Sequence, residues 1–149
     1  MLKGHLQIDL HNEITGENER VEQDNMVTNA LGYVLGLAAN VGAKGNNHFD
    51  DLLPAATKAL GGLLLFDGTL TEDVNNVHFP MGVHLIGHAG QTANTASKLG
   101  GSINKAESGR TDTGYVNVWD FSTSQANGTI ASLALTHTRA GENPFSGAQ

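Results

Sequence analysis

Residues 2–10 alternate strictly between apolar and polar. Leu2, Gly4, Leu6, Ile8 and Leu10 share one face of an extended chain, while Lys3, His5, Gln7, Asp9 and His11 share the other. Side chains of a strand point to opposite faces in turn, so this period of two predicts a half-buried strand with one wet face. Residues 12–16 predict a turn, with Gly16 as its positive-φ position. Residues 17–24 hold one apolar side chain, Val21, among Glu17, Glu19, Arg20, Glu22 and Asp24. They read as an exposed edge strand folding back on the first, its charges discouraging edge-to-edge association. An N-terminal hairpin is therefore expected over residues 1–25.

The period then changes. Val27, Leu31, Val34, Leu35 and Ala38 recur at helical spacing, with Asn25 or Thr28 as the N-cap. One clear α-helix is expected here, and Gly32 and Gly36 would weaken it while permitting close packing. Residues 43–51 read as a loop and 52–60 as a weaker helix, with Pro54 tolerated in its first turn. Residues 63–66, Leu-Leu-Leu-Phe, predict a short buried strand closed by Asp67 and Gly68. A polar connection, a short strand at 81–86, a long Gly- and Asn-rich loop at 87–101 and a strand at 102–108 follow.

The plainest pattern lies at 114–138. Tyr115, Asn117, Trp119 and Phe121 would share one face of a strand, with Val116, Val118 and Asp120 on the other. Asn127 and Gly128 mark a turn, and residues 129–138 resume with Leu133 and Leu135 on one face. An antiparallel hairpin within this stretch is the economical reading. Residues 139–149 lack any period and read as a tail or linker. The elements add up to an α+β fold: mainly an antiparallel β-sheet or small β-sandwich, with the N-terminal hairpin and one clear α-helix. The expected core is Leu6, Ile8, Leu31, Leu35, Leu65, Val118, Trp119, Leu133 and Leu135. Trp119, the only Trp, is expected in the core rather than as a ligand platform.

Composition narrows the function. The 149 residues suit one domain, residues 1–149. Charged residues make up only 15%, and 19 glycines accompany many Asn and Thr. Such uncharged, loop-rich surfaces suit proteins that sit in assemblies. The net charge of −7, with eight Lys plus Arg and no basic cluster, argues against nucleic-acid binding and against anionic membranes. The absence of Cys removes disulfides, Cys-ligated zinc and thiol catalysis. The first residues alternate rather than forming the apolar core of a signal peptide, and no run reaches transmembrane length.

Candidate chemistry is sparse. His84 and His88 stand four apart with His78 nearby, a spacing that would aim two imidazoles at one metal on a helix. On a strand the same spacing separates them by more than about 10 Å, and the Gly-rich context disfavours a helix. Asp50, Asp51, Asp67 and Asp73 lack the calcium-loop pattern. Ser122 and Ser124 lack a nucleophile elbow, and Gly61-Gly62 precedes a strand rather than opening a phosphate-binding helix. No catalytic residue, metal site or cofactor is expected, and the chain reads as a non-enzyme.

Two stretches carry a resemblance. The N-terminal hairpin followed by Asn25-Met26-Val27-Thr28-Asn29-Ala30 resembles the opening of structural proteins from tailed phages and prophages of Gram-positive hosts. Residues 115–121 (YVNVWDF) and 128–136 (GTIASLALT) are similar to sheet segments of the same group, which includes tail, baseplate, fibre and other virion components. The resemblance implies a virion protein made in the bacterial cytoplasm, assembled as a symmetric homo-oligomer and contacting other virion proteins. It implies a tail, fibre or adaptor component, with a head decoration or head-fibre protein as the alternative. Another alternative is a carbohydrate-binding module for host surface glycans, with Trp119 or Tyr115 stacking on sugar. The candidate contact surfaces are the wet face, Lys3, His5, Gln7 and Asp9, and the 87–101 loop with Gly90, Gln91 and Asn94.

Overall fold

The computed structural model describes residues 3–29, 31, 60–76, 83–92, 96–112 and 114–136. Every complete element among them is a strand: β1 (Gly4–His11), β2 (Asn18–Asn25), β3 (Gly62–Phe66), β4 (Leu85–Ala89), β5 (Ser102–Ile103), β6 (Gly109–Arg110), β7 (Tyr115–Val116), β8 (Trp119–Asp120) and β9 (Ser132–Thr136). They form one three-stranded sheet and three two-stranded ones.

The three-stranded sheet has the order β4-β3-β9, antiparallel throughout. β3 sits in its middle because its sequence suits no other place. Four large apolar residues in a row cannot show a polar face to water, so the strand is covered on both sides. All five of its residues are buried. Leu64 and Phe66 form the core cluster, with Leu70, Val83, Leu85 and Ala134 packed against them. Leu65 is also buried, and it lies close to Gly87, as do Phe121 and Ala126. The β3–β4 ladder shifts register between Leu65 and Phe66, which sets Phe66 opposite Leu85. Beyond β4, His88 N–H donates to Leu99 O at 2.8 Å, and Gly101 N–H donates to His88 O at 2.8 Å. These bonds make a parallel bridge between His88 and Gly100.

The hairpin of β1 and β2 is a separate two-stranded sheet, paired from Gly4↔Asn25 to His11↔Asn18. Its turn is built from side chains as much as backbone. Asn12 Oδ1 accepts from Ile14 N–H at 2.9 Å and from Thr15 N–H at 3.1 Å, and Gly16 takes φ = 73°. An Asx turn followed by a left-handed glycine needs this Asn and this Gly.

The structure corrects three expectations. The described residues contain no helix element, so the α+β class with one clear α-helix gives way to a β-rich architecture of several small sheets. Most of the 27–38 segment, including Leu35, lies outside the described residues, as do the 43–51 loop, most of the 52–60 segment and the 139–149 tail. The single hairpin expected within 114–138 does not form. β7 pairs with β6, β8 pairs with β5, and β9 leaves to pair with β3. The physical reason is competition. The β9 residues gain more by joining the buried Leu63–Phe66 ladder than by pairing with Tyr115 and Val116, which stay exposed. The strand expected at 102–108 also stops early. Asn104 Oδ1 accepts from Ala106 and Glu107 N–H at 3.1 and 3.2 Å, turning the chain after Ile103.

Two substitutions test this packing. Leu64 is 1% exposed, so Leu64→Ala should lose about 2–5 kcal/mol in chemical denaturation. A Cβ on Gly101 would come within 2.6 Å of the Phe121 ring. Gly101→Ala should therefore cost about 1–3 kcal/mol by the same measurement, since the ring must be displaced.

Candidate assembly surface

The hairpin has two faces of different character. The hydrogen bond from Asn12 N–H to Glu17 O, at 2.9 Å, fixes the phase of the ladder. With Asn12 facing Glu17 as a hydrogen-bonded pair, Leu10, Ile8, Leu6 and Gly4 follow as hydrogen-bonded pairs with β2. His11, Asp9, Gln7 and His5 fall in the alternate pairs, whose side chains approach more closely. Their contacts follow that rule: His11 Nδ1 lies 2.6 Å from Asn18 Oδ1, Arg20 Nε 2.6 Å from Asp9 Oδ1, and His5 Nδ1 3.1 Å from Asp24 Oδ1. Gln7 Nε2 also donates to Asp9 Oδ2 at 2.7 Å. Lys3, His5, Gln7 and Asp9 are all exposed. Exposed ion pairs contribute little to stability, so these pairs chiefly specify register.

The opposite face carries Leu6 and Ile8, half-buried, with Leu10 at 44% exposure and Val21 at 43%. Ile8 stands directly across from Val21. Ile14, at the turn, is 96% exposed. A two-stranded sheet with an apolar face is marginal alone in water, and this one leaves much of that face uncovered among the described residues.

The second expected surface behaves differently. Gly90 is buried, and its carbonyl accepts the Trp119 indole N–H at 3.1 Å. Gln91 is half-buried and donates from Nε2 to Gly61 O at 2.9 Å and to Asn117 Oδ1 at 3.2 Å. Both residues tie the chain together inside rather than lying open. Asn94 lies outside the described residues. The expected core also divides. Leu65 is buried, while Leu31, Val118, Trp119 and Leu133 are half-buried and Leu135 is 38% exposed.

His84 and His88 sit in unlike surroundings. His84 is exposed at the start of the β4 arm, where its N–H donates to Asp67 Oδ1 at 2.9 Å and its Nδ1 lies 3.1 Å from Asp67 Oδ2. His88 is buried within β4. His78 lies outside the described residues, and among those described no three His, Asp or Glu side chains gather as a metal site.

Comparison with known proteins finds no match: no family model, no curated protein and no solved structure. What this surface does must therefore be argued from its own residues.

Two carboxylates make the fold acid-sensitive. The hydrogen bond from Arg20, backed by one from Gln7, holds the Asp9 carboxyl below its ordinary value of 3.8. The backbone N–H of His84 does the same for Asp67. A depressed folded-state pKa stabilises the fold above the ordinary value, and that contribution is lost as pH falls through the lower folded value. Stability should therefore be flat above about pH 5 with respect to these groups and decline below pH 3.8. Denaturation midpoints from pH 6 to pH 2.5 check this, and Asp67→Ala should show a shallower acid decline than the unaltered chain.

Proposed function

We propose that this chain is a non-enzymatic structural protein of a bacteriophage virion, a tail, fibre or adaptor component that works as a symmetric homo-oligomer. The observation that carries the reading is the N-terminal hairpin. Two eight-residue strands in unbroken register leave Leu10 and Val21 of their more apolar face over two-fifths exposed and Leu6 and Ile8 half-buried, and both outer edges lack a strand partner among the described residues. An isolated sheet of this kind gains its cover from a neighbouring subunit. The resemblance of this same hairpin to the opening of phage structural proteins supports the reading, and so does the low charge of 15%. Subunits with few charges can pack without burying unpaired ions.

The glycan-binding alternative has less support. Trp119 was its best residue, and that indole is half-buried with its N–H already bonded to Gly90. Tyr115, 51% exposed, stands without a second aromatic exposed beside it on β7.

Electron cryo-microscopy of particles from the source phage or prophage tests the proposal. Density for this chain in a symmetric ring or fibre is the expected result. Location on the capsid shell would replace the tail assignment with the head-associated one. Absence of the chain from every particle by mass spectrometry would overturn the proposal.

A further inference from the structure

We infer that two copies of this chain join through the outer edge of β1, in antiparallel register centred on Gln7, to make a four-stranded sheet β2-β1-β1-β2. The inference rests on the homo-oligomeric part of the proposed function but not on the virion assignment.

The ladder phase supplies the first argument. Since Gly4, Leu6, Ile8 and Leu10 turn their backbone groups toward β2, the N–H and C=O of His5, Gln7, Asp9 and His11 point to the open side. β1 is eight residues long, without proline or a register break, so these groups form a regular template.

Complementarity supplies the second. A two-fold axis through Gln7 places His5 of one copy opposite Asp9 of the other, and Lys3 opposite His11. On the other face it places Leu6 opposite Ile8, and Leu10 opposite Gly4. The apolar stripe of each hairpin thus continues into its mate, and the one carboxylate of β1 meets an imidazole rather than another carboxylate. The two central strands then hold Leu6, Ile8 and Leu10 of both copies side by side, with Val21 of each β2 next to Ile8, and a sheet of four strands with such an apolar centre meets the requirement for independent stability that two strands do not.

The β2 edge supplies the contrast. It carries Glu19, Glu22 and Asp24 against the single cation Arg20, which is already engaged by Asp9. Two such edges brought together would repel. Among the described residues the hairpin therefore has one guarded edge and one open edge, and a two-fold pairing through the open one closes the assembly instead of propagating it.

The absence of cysteine makes the test direct. Gln7→Cys sits on the proposed axis, within disulfide reach of its own copy. Glu22→Cys, opposite Gln7 on the guarded strand, is the control. Under mild oxidation of the full chain, Gln7→Cys should give at least about tenfold more covalent dimer than Glu22→Cys. Gln7→Pro removes an outward N–H without removing a β1–β2 bond. By sedimentation it should raise the dimer dissociation constant about tenfold or more, with an unchanged far-UV spectrum. If the unaltered chain sediments as an oligomer yet Gln7→Cys cross-links no better than Glu22→Cys, the edge inference fails and homo-oligomerisation stands. If the chain stays monomeric at every concentration and neither variant cross-links, both fail.

Discussion

The described part of the molecule depends on one constraint, the burial of β3. Its five residues lie between β4 and β9, with apolar side chains covered on both faces. A strand so placed must have hydrogen-bonding neighbours on both sides, since unpaired backbone groups in that position would be buried without water. The chain therefore brings two distant segments to it, one about twenty residues on and one about seventy, from the pairs that β3 makes. Those long closures carry an entropic cost, and the transfer of Leu63, Leu64, Leu65 and Phe66 out of water, about 1.5–3 kcal/mol for each such side chain, offsets it.

The remaining connections hang from the ends of that sheet by a handful of polar bonds. Trp119 donates to Gly90 O at the end of β4, and Gln91 reaches back to Gly61 O just before β3. Ala126 N–H donates to Lys98 O at 2.9 Å, beside the segment that bridges to His88. Asp67 and His84 clamp the other end, where β3 leaves the sheet and the chain enters β4. Phe121 lies over Gly87 and Gly101, two places where the absence of a Cβ lets the ring come close. A small apolar core is thus extended by side-chain bonds that occupy carbonyls the short strands leave unpaired.

What the sequence disclosed follows from this division. Local features were legible. The period of two in residues 4–10, the Asn12 and Gly16 turn and the Leu-Leu-Leu-Phe run each determine their structure within a few residues, and β1, its turn and β3 stand where those signals lie. Pairing was not legible, because it is decided by competition between distant strands. Ser132–Thr136 has the alternation of a hairpin arm but pairs with β3, since burial there exceeds anything Tyr115 and Val116 can supply. The wet face of β1 could be read from its spacing, and its residues are exposed. The 87–101 stretch was misleading for the opposite reason. Its glycines suggested an open loop, yet Gly87 and Gly101 mark close packing against Phe121, and Gly90 offers its carbonyl to Trp119. A glycine inside a short apolar strand and another just before the next strand, with an aromatic later in the chain, were the available signal.

The two sheets differ in how they meet the same physical demand. β3 finds its neighbours within its own chain and leaves no face open. The β1–β2 hairpin is longer and more regular, yet Leu10 and Val21 remain more than two-fifths exposed and Leu6 and Ile8 are only half-buried. Its polar face cannot make up the deficit, because His5, Asp9, Arg20 and Asp24 are all solvated and their pairs set register rather than stability. The regularity itself then becomes informative. A hairpin with no partner to meet would tolerate bulges, prolines or charges on both edges, the usual means of blunting a sheet. Here β2 carries three carboxylates and β1 only Asp9. That asymmetry matters as soon as another strand arrives.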